Sequence, residues 1–196
     1  WRLERRFTDG TLFLVIARRS EDGSVGTEQD GALYKSTDGA ETWSKVALPE
    51  GTNGPMNVKV DPKNPQVLIL TAWGRAVRER FRPDIGGGIF RSPDDGKTWE
   101  HVLASDQHIH DITYDPRVEV FYACGFNESA YRSEDRGKSW NRIKGYNFKW
   151  GKRVDPDPLN PEKIFIITFG GGVWYGPAKG DPNASEDIVT DIVAYR

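Results

Sequence analysis

Two short stretches bring together residue types suited to ligand binding or proton chemistry. Gln107-His-Ile-His-Asp111 sets His108 and His110 two apart, and Tyr146-Asn-Phe-Lys-Trp-Gly-Lys-Arg153 sets Trp150 among Lys149, Lys152 and Arg153. Residues two apart on a strand point to one side, so His108 and His110 share a face and Asp111 looks the other way. The whole chain holds three histidines and one cysteine, Cys124, with no ligand spacing, so neither a metal site nor a cofactor is expected. The two imidazoles are expected to hydrogen-bond a polar ligand or channel water. An indole beside cationic donors suits a sugar, whose C–H face stacks on the ring while its hydroxyls take hydrogen bonds. Lys149, Trp150 and Lys152 are therefore ligand-contact candidates, with packing between sheets and surface ion pairs as the competing role. Asn57, in Gly54-Pro-Met-Asn57 at the start of an equivalent strand, joins them. Arg75, Arg78, Arg80 and Arg82 with Phe81 form a basic cluster that reads best as a solvated loop or a contact to a missing neighbour, ahead of a ligand-binding role.

What must position these residues is a repeat. Tyr34-Lys-Ser-Thr-Asp-Gly-Ala-Glu-Thr-Trp43, Phe90-Arg-Ser-Pro-Asp-Asp-Gly-Lys-Thr-Trp99 and Tyr131-Arg-Ser-Glu-Asp-Arg-Gly-Lys-Ser-Trp140 share one pattern. A second motif recurs in the same order: Asp61-Pro-Lys-Asn-Pro65, Asp115-Pro116 and Asp157-Pro-Leu-Asn-Pro161, each leading into an apolar run. Proline lacks a ladder donor, so Asp-Pro ends one strand, and the apolar run that follows has the composition of a buried strand. A loop, a short strand, the Ser-x-Asp turn and a strand opening on Trp complete the unit. Four antiparallel strands in roughly 50 residues is the period of a β-propeller blade. The expected fold is all-β, a portion of a propeller with about four blades over residues 1–53, 54–104, 105–145 and 146–196. The first box carries Ala40 where Gly is expected, and after Gly171-Gly-Val-Trp-Tyr-Gly-Pro177 no box follows.

Ser-x-Asp-x-Gly-x-Thr-Trp resembles the Asp-box, or BNR repeat, of sialidases, xyloglucan-active glycoside hydrolases and sortilin-type propellers. The Asp-Pro-x-Asn-Pro turn is most similar to the xyloglucanase and sortilin branches. The resemblance covers nearly the whole chain and implies the C-terminal part of a larger glycoside-hydrolase-like protein, exported to an extracellular or periplasmic space and acting on polysaccharide. It also implies that the boxes are structural turns away from the active site. Their chemistry agrees: a short Asp accepts bonds from its own turn, Gly supplies positive φ, and Trp buries a large ring. Ser36, Asp38 and Trp43, then Ser92, Asp94, Gly96 and Trp99, then Ser133, Asp135, Gly137 and Trp140 are assigned to that scaffold.

Chain direction puts the boxes and the Asp-Pro turns on one rim. The loops Arg18–Gly31 and Gly74–Gly88 and the starts of the innermost strands occupy the other, where binding residues are expected. Glycoside hydrolysis ordinarily needs two carboxyl groups about 5–10 Å apart. No such pair can be picked out: Asp9, Asp61, Asp115 and Asp155 read as turn residues on the box rim, and Asp111 is single. The arginine cluster of sialidases and the N-terminal motif of xyloglucanases have no counterpart, so no catalytic residue is assigned and enzymatic activity is left open. A non-catalytic propeller module that binds a protein partner or subunit is the alternative.

Composition narrows the partners. With 27 basic and 29 acidic residues in 196, the net charge of −2 gives no basis for nucleic-acid binding. Apolar runs such as Leu12–Ala17 and Ile164–Phe169 are strand-length, far short of the ~20 residues of a membrane span. A glycan or polysaccharide is the expected ligand class. A chain that starts at Trp1 reads as a processed product or fragment. A ring-completing N-terminal segment, a second chain or self-association is expected to cover its ends.

Overall fold

Runs rich in β-branched and aromatic residues, broken by Gly and Pro turns, fold into strands of two to seven residues. The computed structural model describes residues 1–17, 31–75, 84–126 and 130–184. Among them are fifteen strands in four antiparallel sheets and no helix. Blade 1 comprises β1 (Arg2–Arg5), β2 (Leu12–Ile16), β3 (Ala32–Ser36) and β4 (Ser44–Val46). Blade 2 comprises β5 (Pro55–Val60), β6 (Leu68–Ala72), β7 (Gly88–Ser92) and β8 (Glu100–Leu103). Blade 3 comprises β9 (Ile109–Asp115), β10 (Val120–Gly125), β11 (Ala130–Ser133) and β12 (Asn141–Arg142). Blade 4 has β13 (Gly151–Pro156), β14 (Lys163–Thr168) and β15 (Val173–Pro177). The expectation of four strands per sheet therefore holds for three sheets. In the fourth no Ser-x-Asp turn follows β15, and three strands stand among the described residues. Arg78, Arg80, Phe81 and Arg82 lie outside the described residues, as does most of the 18–31 loop.

Strand order within each sheet follows the chain, and β5 neighbours both β1 and β9 while β9 neighbours β13. These four are the innermost strands of a radial arc. Each junction between blades has its own apolar core. Phe13, Val15 and Leu33 of blade 1 meet Val58, Leu68, Leu70 and Phe90 of blade 2. Ile69 and Ile89 of blade 2 meet Ile112, Phe121 and Tyr131 of blade 3. Tyr122 and Cys124 of blade 3 meet Phe148, Val154, Ile164 and Ile166 of blade 4. Burial pushes the Cys124 thiol well above its ordinary pKa, so it stays a protonated packing group.

The boxes close on themselves. Ser92 Oγ donates to Asp94 at 2.9 Å and accepts from Gly96 N at 2.8 Å, while Asp94 takes the amide and hydroxyl of Thr98. Ser133, Asp135, Gly137 and Ser139 repeat this pattern, as do Ser36, Asp38, Ala40 and Thr42. The Thr42 hydroxyl, then its amide and Ser36, hold the Asp38 carboxyl down at about 2. Trp99 and Trp140 pack against the junction cores with the preceding blade, and the Trp99 indole donates to Ala47 O at 2.9 Å.

Each box needs two successive left-handed residues: Gly39 and Ala40, Asp95 and Gly96, Arg136 and Gly137. Ala40 sits at φ +77°, where a Cβ costs about 1 kcal/mol or more. Ala40→Gly is expected to stabilise the protein by about 1 kcal/mol in a urea titration. Gly137→Ala should act in the opposite sense and more strongly, because its Cβ would fall 2.5 Å from Ile69 Cδ1 across the junction.

The left-handed residue between Asp and Gly also reaches the preceding blade. Asp95 of blade 2 binds Arg6 and Lys35 of blade 1. Arg136 of blade 3 grips Asp61 of blade 2 with one guanidinium nitrogen, at 2.9 and 3.0 Å from the two carboxylate oxygens. Arg6 and Asp61 occupy the same place, the first residue after the innermost strand, so the two junctions use one contact with the charges exchanged.

Candidate functional site

Strand register makes positions in the four blades equivalent, and two sets of equivalent positions build the axis. Arg2, Asn57, Asp111 and Arg153 form one set. They converge on Asp111, which is 2 % exposed. The Asn57 amide donates to its Oδ1, Arg2 Nη2 lies 3.4 Å from Oδ2, and Arg153 Nε lies 4.0 Å from the same oxygen. One buried carboxylate is thus addressed by a residue from every other blade. Two flanking cations and a backbone bond from Ile112 N stabilise its charge. This places Asn57 inside the hub, its amide engaged, rather than on the open rim.

The second set is Met56, His110 and Lys152, where the register of β5, β9 and β13 slips by one residue. A bulge at this point re-aims one side chain from each of these three strands. His110 and Lys152 thereby reach the rim opposite the boxes.

That rim carries a ladder of aromatic rings. Trp73, Phe126 and Phe169 each follow the second strand of their blade, and each amide is bonded to the start of the innermost strand. Trp73 N meets Gly54 O at 2.7 Å, Phe126 N meets His108 O at 2.8 Å, and Phe169 N meets Trp150 O at 2.8 Å. Ring centroids are 4.9 Å apart from Trp73 to Phe126 and 6.1 Å from Phe126 to Phe169. His108 packs on Trp73 at 4.7 Å and His110 on the edge of Phe169 at 4.9 Å, and the Lys152 ammonium lies 5.5 Å from the Phe169 centroid. The Asp84 carboxylate accepts from His108 Nε2 at 2.7 Å and ties the loop before β7 to the ladder. Trp150, at φ +57°, leaves its indole 52 % exposed beside Phe169, itself 46 % exposed. Lys149 is exposed next to it.

Of the candidates, His108, His110, Trp150 and Lys152 therefore gather on one surface. Trp73, Asp84, Phe126 and Phe169 complete it and were not singled out from the sequence. Their signal was present: aligning the three apolar runs puts an aromatic residue at the end of each or within two residues past it. His108 and His110 do not share one regular strand face as expected, because the bulge falls between Ile109 and Asp111.

The box rim has an axial cleft of about 440 Å³, lined by Glu4, Lys59, Asp61, Tyr114, Arg153 and Asp155. Its carboxylates are already matched: Glu4 with Lys59 at 2.7 Å, Asp155 with Arg153 at 2.7 Å, Asp61 with Arg136. Asp155 lies within β13 and is not a turn residue. The turn carboxylate of blade 4 is Asp157, two residues further on, which accepts from Leu159 N and the Tyr175 hydroxyl. Asp9, Asp61 and Asp115 do cap their own turns, through Thr11 N, Lys63 N and Arg117 N. Among the described residues no cluster of three His, Cys, Asp or Glu could hold a metal, and no helix is long and apolar enough to cross a membrane.

Comparison with known proteins gives a consistent picture. The BNR-Asp box repeat family matches residues 131–143. Xyloglucanase Xgh74A of Acetivibrio thermocellus is 27% identical over 185 residues, covering 76% of this chain and 20% of its own length. A xyloglucanase of a Paenibacillus species is 26% identical over 188 residues, covering 79% and 17%. The chain thus spans about a fifth of the length of the curated relatives it matches. A GH74 enzyme of Niastella koreensis superposes with a TM-score of 0.65 at 16% identity, over 90% of this chain and 28% of that one. The GH74 xyloglucanase of Xanthomonas campestris gives 0.62 at 18% identity, over 89% and 29%. The chain is an Asp-box β-propeller portion with xyloglucanases among its relatives.

Proposed function

We propose that this chain is the polysaccharide-binding arc of a glycoside-hydrolase-like propeller, and that a xyloglucan-type chain lies along the rim opposite the boxes. The aromatic ladder Trp73–Phe126–Phe169, extended by the exposed Trp150, carries this reading. Rings in a row offer stacking faces to successive sugars, and Lys149, Lys152, His108 and His110 supply the polar contacts that fix orientation. The xyloglucanase relatives support the ligand class. Export to an extracellular or periplasmic space belongs to the same reading, because such polysaccharide is met there.

No catalytic residue is assigned within the chain. Asp84 and Asp106 flank His108, and both are engaged, Asp84 by the imidazole and Asp106 by His108 N and the Tyr131 hydroxyl. Affinity electrophoresis in xyloglucan gels, paired with a reducing-sugar assay, tests the reading. The chain should be retarded by xyloglucan, and Trp150→Ala or Phe169→Ala should weaken the retardation about tenfold, the order expected for one lost stacking contact. Their melting temperatures should change little. Retardation without sugar release supports a binding arc. No retardation, or retardation indifferent to both variants, favours the alternative of a module for a protein partner.

A further inference from the structure

The connection from β6 to β7, which carries the first ring of the ladder at one end, is rooted on the next blade. Gly74 N donates to Gln107 O at 2.6 Å and Gly87 N to Gln107 Oε1 at 2.9 Å, so both limbs end on one residue of blade 3. Arg75 and Ile85 exchange both backbone bonds, at 2.9 and 3.1 Å, and pair the limbs with each other. His101 Nε2 donates to Gly87 O at 2.9 Å. The approach is close enough to require glycine: a Cβ on Gly87 would fall 1.9 Å from Gln107 O. Asp84, next to Ile85, is therefore carried by anchored backbone.

That backbone delivers one carboxylate to one imidazole. Asp84 Oδ2 lies 2.7 Å from His108 Nε2, with the two side chains 27% and 18% exposed. An ionised carboxylate can only accept, so the proton of this bond sits on Nε2. The same imidazole packs on Trp73 at 4.7 Å, and His108 N is held by Asp106 at 3.0 Å. We propose that Asp84 is a positioning residue of the binding rim, acting through His108. It fixes the imidazole as the Nε2–H tautomer and holds the ring against Trp73, so that the first ring of the ladder is presented in one orientation. This role rests on the polysaccharide-binding reading above. A recognition surface keeps its geometry only where neighbours lock its side chains, and a carboxylate behind an imidazole fixes orientation and tautomer together. A neutral amide in its place fixes neither, because its oxygen accepts from Nε2–H while its nitrogen donates to a bare Nε2.

Long-range proton–nitrogen NMR of the imidazoles, at a pH where they are neutral, tests this without ligand, with His108→Gln identifying the His108 signals. Wild-type His108 should show the Nε2–H pattern alone, and Asp84→Asn should show a mixture of tautomers. In the same variant the Trp73 indole N–H resonance should move while that of Trp150 stays in place. Calorimetric titration with a xyloglucan oligosaccharide should find Asp84→Asn weaker by about fivefold, the order of one charge-assisted hydrogen bond made neutral. A wild-type His108 in the Nδ1–H form, a tautomer unchanged by Asp84→Asn, or oligosaccharide bound equally by that variant overturns the proposal. A wild-type chain that binds no oligosaccharide overturns the polysaccharide reading itself and the role of Asp84 with it, an outcome told apart because the tautomer is read in the free protein.

Discussion

Arg136→Asp is expected to lower stability by about 3 kcal/mol, the order found when one partner of a buried ion pair is lost. The Asp61 side chain is 1% exposed, and Arg136 is the cation that meets both of its oxygens. Reversing the charge leaves Asp61 with the Lys63 amide alone and brings a second carboxylate toward it. Arg136 is itself part-exposed and also reaches Glu119 at 3.4 Å, which keeps the figure at the lower end of that range. In an Asp61→Asn background the same substitution should cost at least about 1 kcal/mol less, since the repelled charge is gone. Urea titration of the four proteins gives the coupling directly. A change within about 0.5 kcal/mol for Arg136→Asp would show that the junction does not depend on this contact.

The second large effect is at the hub. Asp111→Ala should cost about 2–4 kcal/mol, because the Asn57 amide loses its acceptor and two guanidinium groups lose the anion between them. Asp111→Asn keeps the shape and removes the charge, so it should cost less. Asn57→Ala combined with Asp111→Ala should fall short of additivity, the mark of residues in one network. This separates a positioning role from a catalytic one. If Asp111 served chemistry alone, Asp111→Asn would abolish any sugar release and leave the unfolding midpoint unmoved.

The blades were legible in the sequence because two motifs recur in order and each has a local cause. Asp-Pro stops a strand, and Ser-x-Asp-x-Gly forms a turn from its own hydrogen bonds. Such signals do not depend on distant residues. The ladder and the hub do. Phe126 and Phe169 look like ordinary ends of apolar runs until β10 and β14 are placed side by side. His110 and Lys152 need the register slips of β9 and β13, which no local motif marks. Asn57 shows the converse: its place at the start of an innermost strand was right, but its partner comes from the next blade. Asp155 was misjudged because Asp-Pro occurs twice within Asp155–Pro158, and only the second copy is the turn.

The charge exchange between Arg6–Asp95 and Asp61–Arg136 is likewise visible only once the blades are superposed. It gives adjacent junctions different electrostatic requirements, so that a box bearing Asp95 is mismatched to a blade bearing Asp61.

The indole N–H resonances of the seven tryptophans offer the most direct test of where ligand binds. During titration with a xyloglucan oligosaccharide, those of Trp73 and Trp150 should shift in a saturable way, while those of Trp43, Trp99 and Trp140 stay in place. Shifts confined to the box indoles, or to backbone amides of the axial cleft around Glu4 and Asp155, would contradict a binding surface on the opposite rim.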